Sequence, residues 1–199
     1  LAIVEPLCIG SHAVRRAAPE SGDTALVIGV GPIGLGVAQS LLFHNVKVIV
    51  SDLLEERLAL AHDTLGIRDL IDARQDPMPQ LTKILDGELA TVVFDCTGSI
   101  ASMEQSINFM AHGGKLVFVG LVPENFSFSD PLFHRRETTL LSSRNCTAQD
   151  FREVIDRMEK GEIDVKRWIT HRASADDLPK VFPTWVRGNN GLFKASIAW

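Results

Sequence analysis

The chain contains no run of about eighteen apolar residues and no basic segment leading into a shorter apolar one, so neither a membrane span nor a secretory leader is indicated. Cysteine is scarce. Cys8, Cys96 and Cys146 are far apart and odd in number, and no C-x-x-C pair suggests a structural zinc. This usage fits a reducing cytoplasm better than a disulfide framework, and a cytoplasmic protein is expected. Basic charge is also lacking: 20 Lys and Arg stand against 25 Asp and Glu, for a net charge of −5. No basic stripe is present to neutralise phosphates, so no nucleic-acid partner is expected, and no membrane partner either. The short pairs Arg15-Arg16 and Arg135-Arg136 read as solvated surface. No repeat of fixed period sets up a solenoid.

What is present is an ordinary globular composition, 45% hydrophobic and 23% charged with 15 glycines over 199 residues. That length holds one substantial α/β domain and a smaller appendage. Short apolar runs at 25–28, 46–51, 70–71, 92–95, 115–119 and 138–141 predict six strands, most of them continuous enough to be buried on both faces. Helical periodicity covers 32–44, 55–65, 79–85, 100–111, 150–160 and 176–186. Such alternation predicts an α/β fold with a doubly wound parallel six-stranded sheet. A further strand at 191–198 returns after a break near Gly161, which suggests that the tail leaves the sheet domain. The organisation expected is therefore 1–10 as the remnant of one domain, 11–145 as the sheet domain, and 146–199 as a segment returning to the first. The chain begins with Leu1 rather than Met, and 1–7 reads like the middle of a folded segment, so a truncated or proteolysed chain is expected.

Gly29-Val30-Gly31-Pro32-Ile33-Gly34 follows the first strand and opens the first helix of this pattern. Position gives the motif its meaning: Gly29 permits a tight turn, Gly31 lets backbone approach a pyrophosphate, and Gly34 lets the helix pack closely on the sheet. Pro32 in the first helical turn removes only an N–H that would lack an intrahelical partner. The free amides and the helix dipole would then face a diphosphate, as in a Rossmann domain. Asp52, at the end of the second strand, is placed to accept hydrogen bonds from an adenosine ribose and to repel a 2′-phosphate, which favours NAD over NADP. Two alternatives stay open here. The glycines could form a turn without ligand, and Asp52 with Glu55 could form a helix cap. Arg57 could serve a 2′-phosphate, but its separation from Asp52 by a turn favours stacking on adenine or a surface role.

The fourth strand runs into Cys96-Thr97-Gly98 and the fifth into Val119-Gly120-Leu121, at the carboxyl ends where open sheets place ligands. Gly120 would let the chain pass close to a flat ring, or is a plain turn glycine. Cys96 reads more readily as a small core residue than as a nucleophile.

These residues resemble the zinc-dependent medium-chain dehydrogenases, in the polyol and sugar-acid branch that includes sorbitol dehydrogenase. The resemblance is carried by Glu5-Pro6-Leu7, by His12-Ala13-Val14-Arg15-Arg16, and by Phe128-Ser129-Asp130-Pro131, Phe133-His134, Glu137-Thr138-Thr139 and Ser143-Arg144-Asn145, which look most like L-galactonate or L-gulonate 5-dehydrogenase relatives. It implies oxidation of a secondary alcohol, with hydride passing to NAD while a zinc ion in the intact parent polarises the alcohol oxygen. It also implies that the flanks belong to a GroES-like catalytic domain whose cysteine and histidine ligands are not in this chain. Glu5 alone falls on a position the family places at zinc; otherwise it is a polar residue before a proline. Arg144 and Asn145 fall where the family passes near the nicotinamide, although Arg144 could be a surface cation. His171, Trp168 and Trp185 read as structural or packing residues. The resemblance further implies a homo-oligomer through the edge strand at 138–141, with apolar patches at 1–10 and 161–199, and a small-molecule alcohol as substrate. A free-standing nucleotide-binding module without catalysis is the alternative. A methyltransferase is disfavoured by the third glycine.

Overall fold

Runs such as Ala25-Leu26-Val27-Ile28 and Val92-Val93-Phe94 are apolar at every position, so both faces of the strands they form must be covered. The computed structural model describes residues 2–187 and 191–199. Leu1, the start of the expected N-terminal remnant, and residues 188–190 of the expected tail segment lie outside the described residues. In chain order the elements are α1 (Val4–Ala17), β1 (Thr24–Ile28), α2 (Pro32–Leu42), β2 (Lys47–Asp52), α3 (Glu55–Leu65), β3 (Asp69–Asp72), α4 (Pro77–Ile84) and β4 (Ala90–Asp95). They continue as α5 (Ile100–Ser106), β5 (Met110–Phe118), α6 (Asp130–Arg135), β6 (Thr139–Ser142), α7 (Ala148–Glu159), β7 (His171–Ser174), α8 (Leu178–Val186) and β8 (Ala195–Ala198).

The first six strands form one parallel sheet in the order β3-β2-β1-β4-β5-β6, so the α/β doubly wound expectation holds. Alternate residues of each strand feed two cores. Val27, Val48, Val50 and Phe94 face a layer built with α1, α2, α3 and α7. Leu26, Ile28, Ile49 and Leu116 face one built with α4 and α5. The chain reverses its winding between β1 and β4, and that point opens a crevice at the carboxyl ends of the strands.

Several local expectations change. Residues 4–17 form an unforeseen helix, crossing α2 so closely that a Cβ on Gly10 would lie 2.5 Å from the Gly36 carbonyl carbon. Ile3, Val4, Leu7 and Cys8 are consequently buried, and the apolar patch expected at 1–10 is absent from these residues. The helix expected over 100–111 stops at Ser106; a 3-10 turn over Ile107–Phe109 follows, and β5 starts at Met110. Arg136 explains the break, since its Nη1 donates to the freed carbonyls of Ile107, Asn108 and Met110. Arg136 is therefore not the solvated cation expected, whereas Arg15, Arg16 and Arg135 are exposed as expected, Arg15 and Arg16 also reaching Asp150 and the Ser142 carbonyl. α6 and β7 were not foreseen.

β7 pairs in parallel with β8 as a separate two-stranded sheet. Trp168, fully buried, anchors this segment in the main core and meets the Phe193 ring edge-on at 6.1 Å. Phe182, Val186 and Trp199 remain exposed in the tail.

Candidate functional site

The glycine turn is built by three different steric demands. Gly29 has φ +82°, a left-handed conformation that side chains disfavour, and a Cβ there would meet Thr97 Cγ2 at 2.8 Å. A Cβ on Gly34 would lie 1.9 Å from the Gly29 carbonyl oxygen, so the first turn of α2 can close against β1 only without one. At Gly31 the reverse holds: the nearest neighbour of a Cβ would be Arg57 Nη1, 3.8 Å away. That space is open to a ligand rather than filled by protein. Gly31 caps α2 with no side-chain hydrogen bond, and the amides of Gly31, Ile33 and Gly34 have no acceptor among the described residues. Three donors at a positive helix end, beside Pro32, form an anion cradle.

Asp52 ends β2 beside this turn. Its Oδ2 accepts from the Val30 amide at 2.7 Å and its Oδ1 from the Leu54 amide at 2.9 Å. The cap of α3 is Leu54, without a side-chain hydrogen bond, so the helix-cap reading of Asp52 and Glu55 does not hold. Arg57 Nη1 lies 3.5 Å from Asp52 Oδ2. One helical turn thus brings the guanidinium back to the carboxylate, contrary to the separation expected.

A cavity of about 420 Å³ gathers Gly29, Gly31, Asp52, Arg57, Cys96 and Thr97. Sequence reasoning missed other parts of its wall, notably Leu53, Ser102 and Gln105. Leu53, 61% exposed directly after the acidic residue, was a readable signal. Ser102 was not, because its place depends on Asp95. That carboxylate, fully buried, accepts from the Thr97 amide and hydroxyl at 3.0 and 2.7 Å and from the Ser102 hydroxyl at 2.5 Å. It thereby fastens two sides of the cavity wall. Burial, with the Asp95 charge adding, pushes the Cys96 thiol well above its ordinary range, which leaves it a poor nucleophile.

The remaining expected residues do not line this cavity. Val119 and Gly120 donate their amides to the Asp95 carbonyl at 2.9 and 3.0 Å, and a Cβ on Gly120 would lie 2.4 Å from the Gly98 nitrogen. Gly120 therefore lets two strand-end turns touch. Leu121, Arg144 and Asn145 are exposed beyond β5 and β6. Glu5 is exposed in the first turn of α1; its charge, with burial, Cys146 and Asp150 contributing more, helps push the Cys8 thiol up to about 12. Among the described residues no group of three His, Cys, Asp or Glu side chains could hold a metal ion. His171 and Trp185 pack edge-on at 5.8 Å.

A reversal of winding, a glycine turn with unpaired amides and an acid closing the next strand mark the class: a Rossmann-type α/β domain. The model of the zinc-binding dehydrogenase family matches residues 32–160, and the chain belongs to that family. It is 38% identical to L-galactonate-5-dehydrogenase of Escherichia coli K12 over 198 residues, covering 100% of this chain and 58% of that protein. Among solved structures, a short chain alcohol dehydrogenase from Escherichia coli CFT073 complexed with NADH superposes with a TM-score of 0.89 at 26% identity, over 99% of this chain and 58% of that one. A zinc-binding dehydrogenase from Sinorhizobium meliloti 1021 bound to NADP gives 0.81 at 27%, over 89% and 53%. The chain thus spans somewhat more than half the length of the relatives it matches.

Proposed function

We propose that this chain is the NAD-holding part of a dehydrogenase that oxidises a secondary alcohol of a polyol or sugar acid. The observation carrying the reading is the open space at Gly31, where a side chain would meet nothing nearer than 3.8 Å, set among unpaired amides and beside Asp52. In this reading the amides of Gly31, Ile33 and Gly34 take the pyrophosphate. Asp52 accepts a hydroxyl of the adenosine ribose while keeping its bonds to Val30 and Leu54. Arg57 covers the adenosine side, and a 2′-phosphate would have to displace it from Asp52. When bound, NAD supplies the hydride acceptor. The backbone beyond β5 and β6, at Val119 to Leu121 and at Arg144 and Asn145, forms the wall on the nicotinamide side.

The similarity to L-galactonate-5-dehydrogenase supports a sugar-acid substrate. In the intact parent, zinc would polarise the alcohol. The described residues hold no set of ligands fit for it, so Glu5 is at most one contributor. We further propose that the chain alone is inactive, that it resides in the cytoplasm, and that copies associate along β6, the sheet edge at which Leu140 is 37% exposed. Calorimetric titration with NAD tests the reading: saturable heat that Asp52→Ala weakens is expected, and absence of binding refutes it.

A further inference from the structure

Asp150, fully buried in the first turn of α7, is held far beyond the needs of a helix cap. The cap itself is complete within the chain segment: the Thr147 amide and hydroxyl donate to Asp150 Oδ2 at 2.6 and 2.8 Å. Yet α1 adds more from the far end of the sequence. Arg15 Nε donates to Oδ1 at 2.9 Å, Arg15 Nη2 to Oδ2 at 3.1 Å, and His12 Nδ1 lies 3.1 Å from Oδ2. The next residue along α1 fastens the other end of the same segment, for Arg16 Nε donates to the Ser142 carbonyl at 2.9 Å. Between these ends, the Ser143 amide ties the chain to the Phe118 carbonyl at 2.9 Å. The Ser143 hydroxyl, buried in the same segment, has no hydrogen-bond partner among the described residues. Residues 142–150 are thus clamped at both ends to one helix.

That helix is also locked to the glycine cradle. α1 crosses α2 backbone against backbone at Gly10 and Gly36, and α2 begins at the unpaired amides. One rigid element therefore mounts both halves of the crevice: the diphosphate end through α2, and the segment after β6 through Arg16 at Ser142 and Arg15 at Asp150. In a doubly wound sheet the second mononucleotide half lies over the strands beyond the reversal, here β4 to β6.

We propose that Asp150 is a positioning residue for the nicotinamide half of the cofactor, holding segment 142–147 with Arg144 and Asn145 in register with the diphosphate cradle. This rests on the dinucleotide reading above. The test is calorimetric titration of the full chain and of Asp150→Asn and Arg16→Gln with two probes, NAD and ADP, the latter filling only the adenosine half. Asp150→Asn is expected to weaken NAD about tenfold while ADP changes by less than about twofold, the scale of losing one charge-assisted hydrogen bond to a ligand. A merely structural role would weaken both probes together. Equal losses for NAD and ADP, or no loss for either, overturn the proposal. Should Asp150→Asn fail to fold, Arg16→Gln, which frees only the exposed end of the clamp, carries the same selective expectation at about threefold. Unchanged NAD affinity in that variant overturns it. NAD binding no tighter than ADP in the unaltered chain also overturns it, whereas heat from neither probe removes the dinucleotide reading itself.

Discussion

The Asp52 carboxylate accepts the Val30 amide at 2.7 Å, so the acid that closes β2 also pins the turn that leaves β1. In the proposed function, ribose recognition and loop geometry share one side chain. Asp52→Ala should therefore weaken NAD by about 1–3 kcal/mol, the cost of losing bonds to a charged acceptor. Asp52→Asn keeps an oxygen for one amide and loses the charge, so it should narrow the preference for NAD over NADP. Titration of both variants with both dinucleotides checks this, and an unchanged ratio in Asp52→Asn speaks against charge as the discriminator.

Two glycines of one motif should fail in different ways. Gly34→Ala forces a Cβ to 1.9 Å from the Gly29 oxygen and should lower stability by about 1–3 kcal/mol or more, read as a fall in Tm. Gly31→Ala meets no protein atom within 3.4 Å, so Tm should hold while NAD binding is lost to the new methyl group. A Tm loss as large in Gly31→Ala as in Gly34→Ala would mean that the space at Gly31 is not a ligand cradle.

Acid should expose the Asp150 network. Burial raises the Asp150 carboxyl, but the bonds from Arg15 and Thr147 outweigh it and hold it at about 2, below the ordinary 3.8. A depressed folded value means stability fully present above pH 3.8 and lost as pH falls toward 2. The stability gap between the chain and Asp150→Asn should accordingly shrink by about 2 kcal/mol between pH 5 and 2, as the two are compared in urea. A gap independent of pH would show that the carboxylate charge contributes nothing.

The sheet edge at β6 offers a further check. Leu140→Lys places a charge on a half-exposed apolar position of the edge strand. If copies pair along this edge, sedimentation should shift from dimer to monomer, while NAD affinity stays as it was. A dimer that survives the substitution places its interface elsewhere.

The strands and the glycine turn were legible because their signals are local: continuous apolar runs for β1, β2 and β4, and glycines at fixed spacing before α2. α1 was not anticipated from the sequence, and it contains Pro6 and Gly10, two residue types that disfavour helix interiors. In the fold Pro6 sits in the first turn, where it costs little, and Gly10 is what allows contact with Gly36. The partners of Arg15, Arg16 and Arg136 were illegible for another reason. Arg15 and Asp150 are 135 positions apart, and nothing in either neighbourhood specifies the other. Asp95 belongs to the same class, since a carboxylate ending a strand looks alike whether it faces ligand or holds Thr97 and Ser102. The candidate site was thus readable where backbone geometry demands a residue type, and unreadable where side chains meet across the fold.

The most direct measurement is a pair of calorimetric titrations of the unaltered chain, one with NAD and one with NADP under the same conditions. Saturable binding of NAD, at least about tenfold tighter than NADP, is the predicted result, since a 2′-phosphate would meet the Asp52 charge. Absence of heat with either dinucleotide, or tighter binding of NADP, would contradict the account.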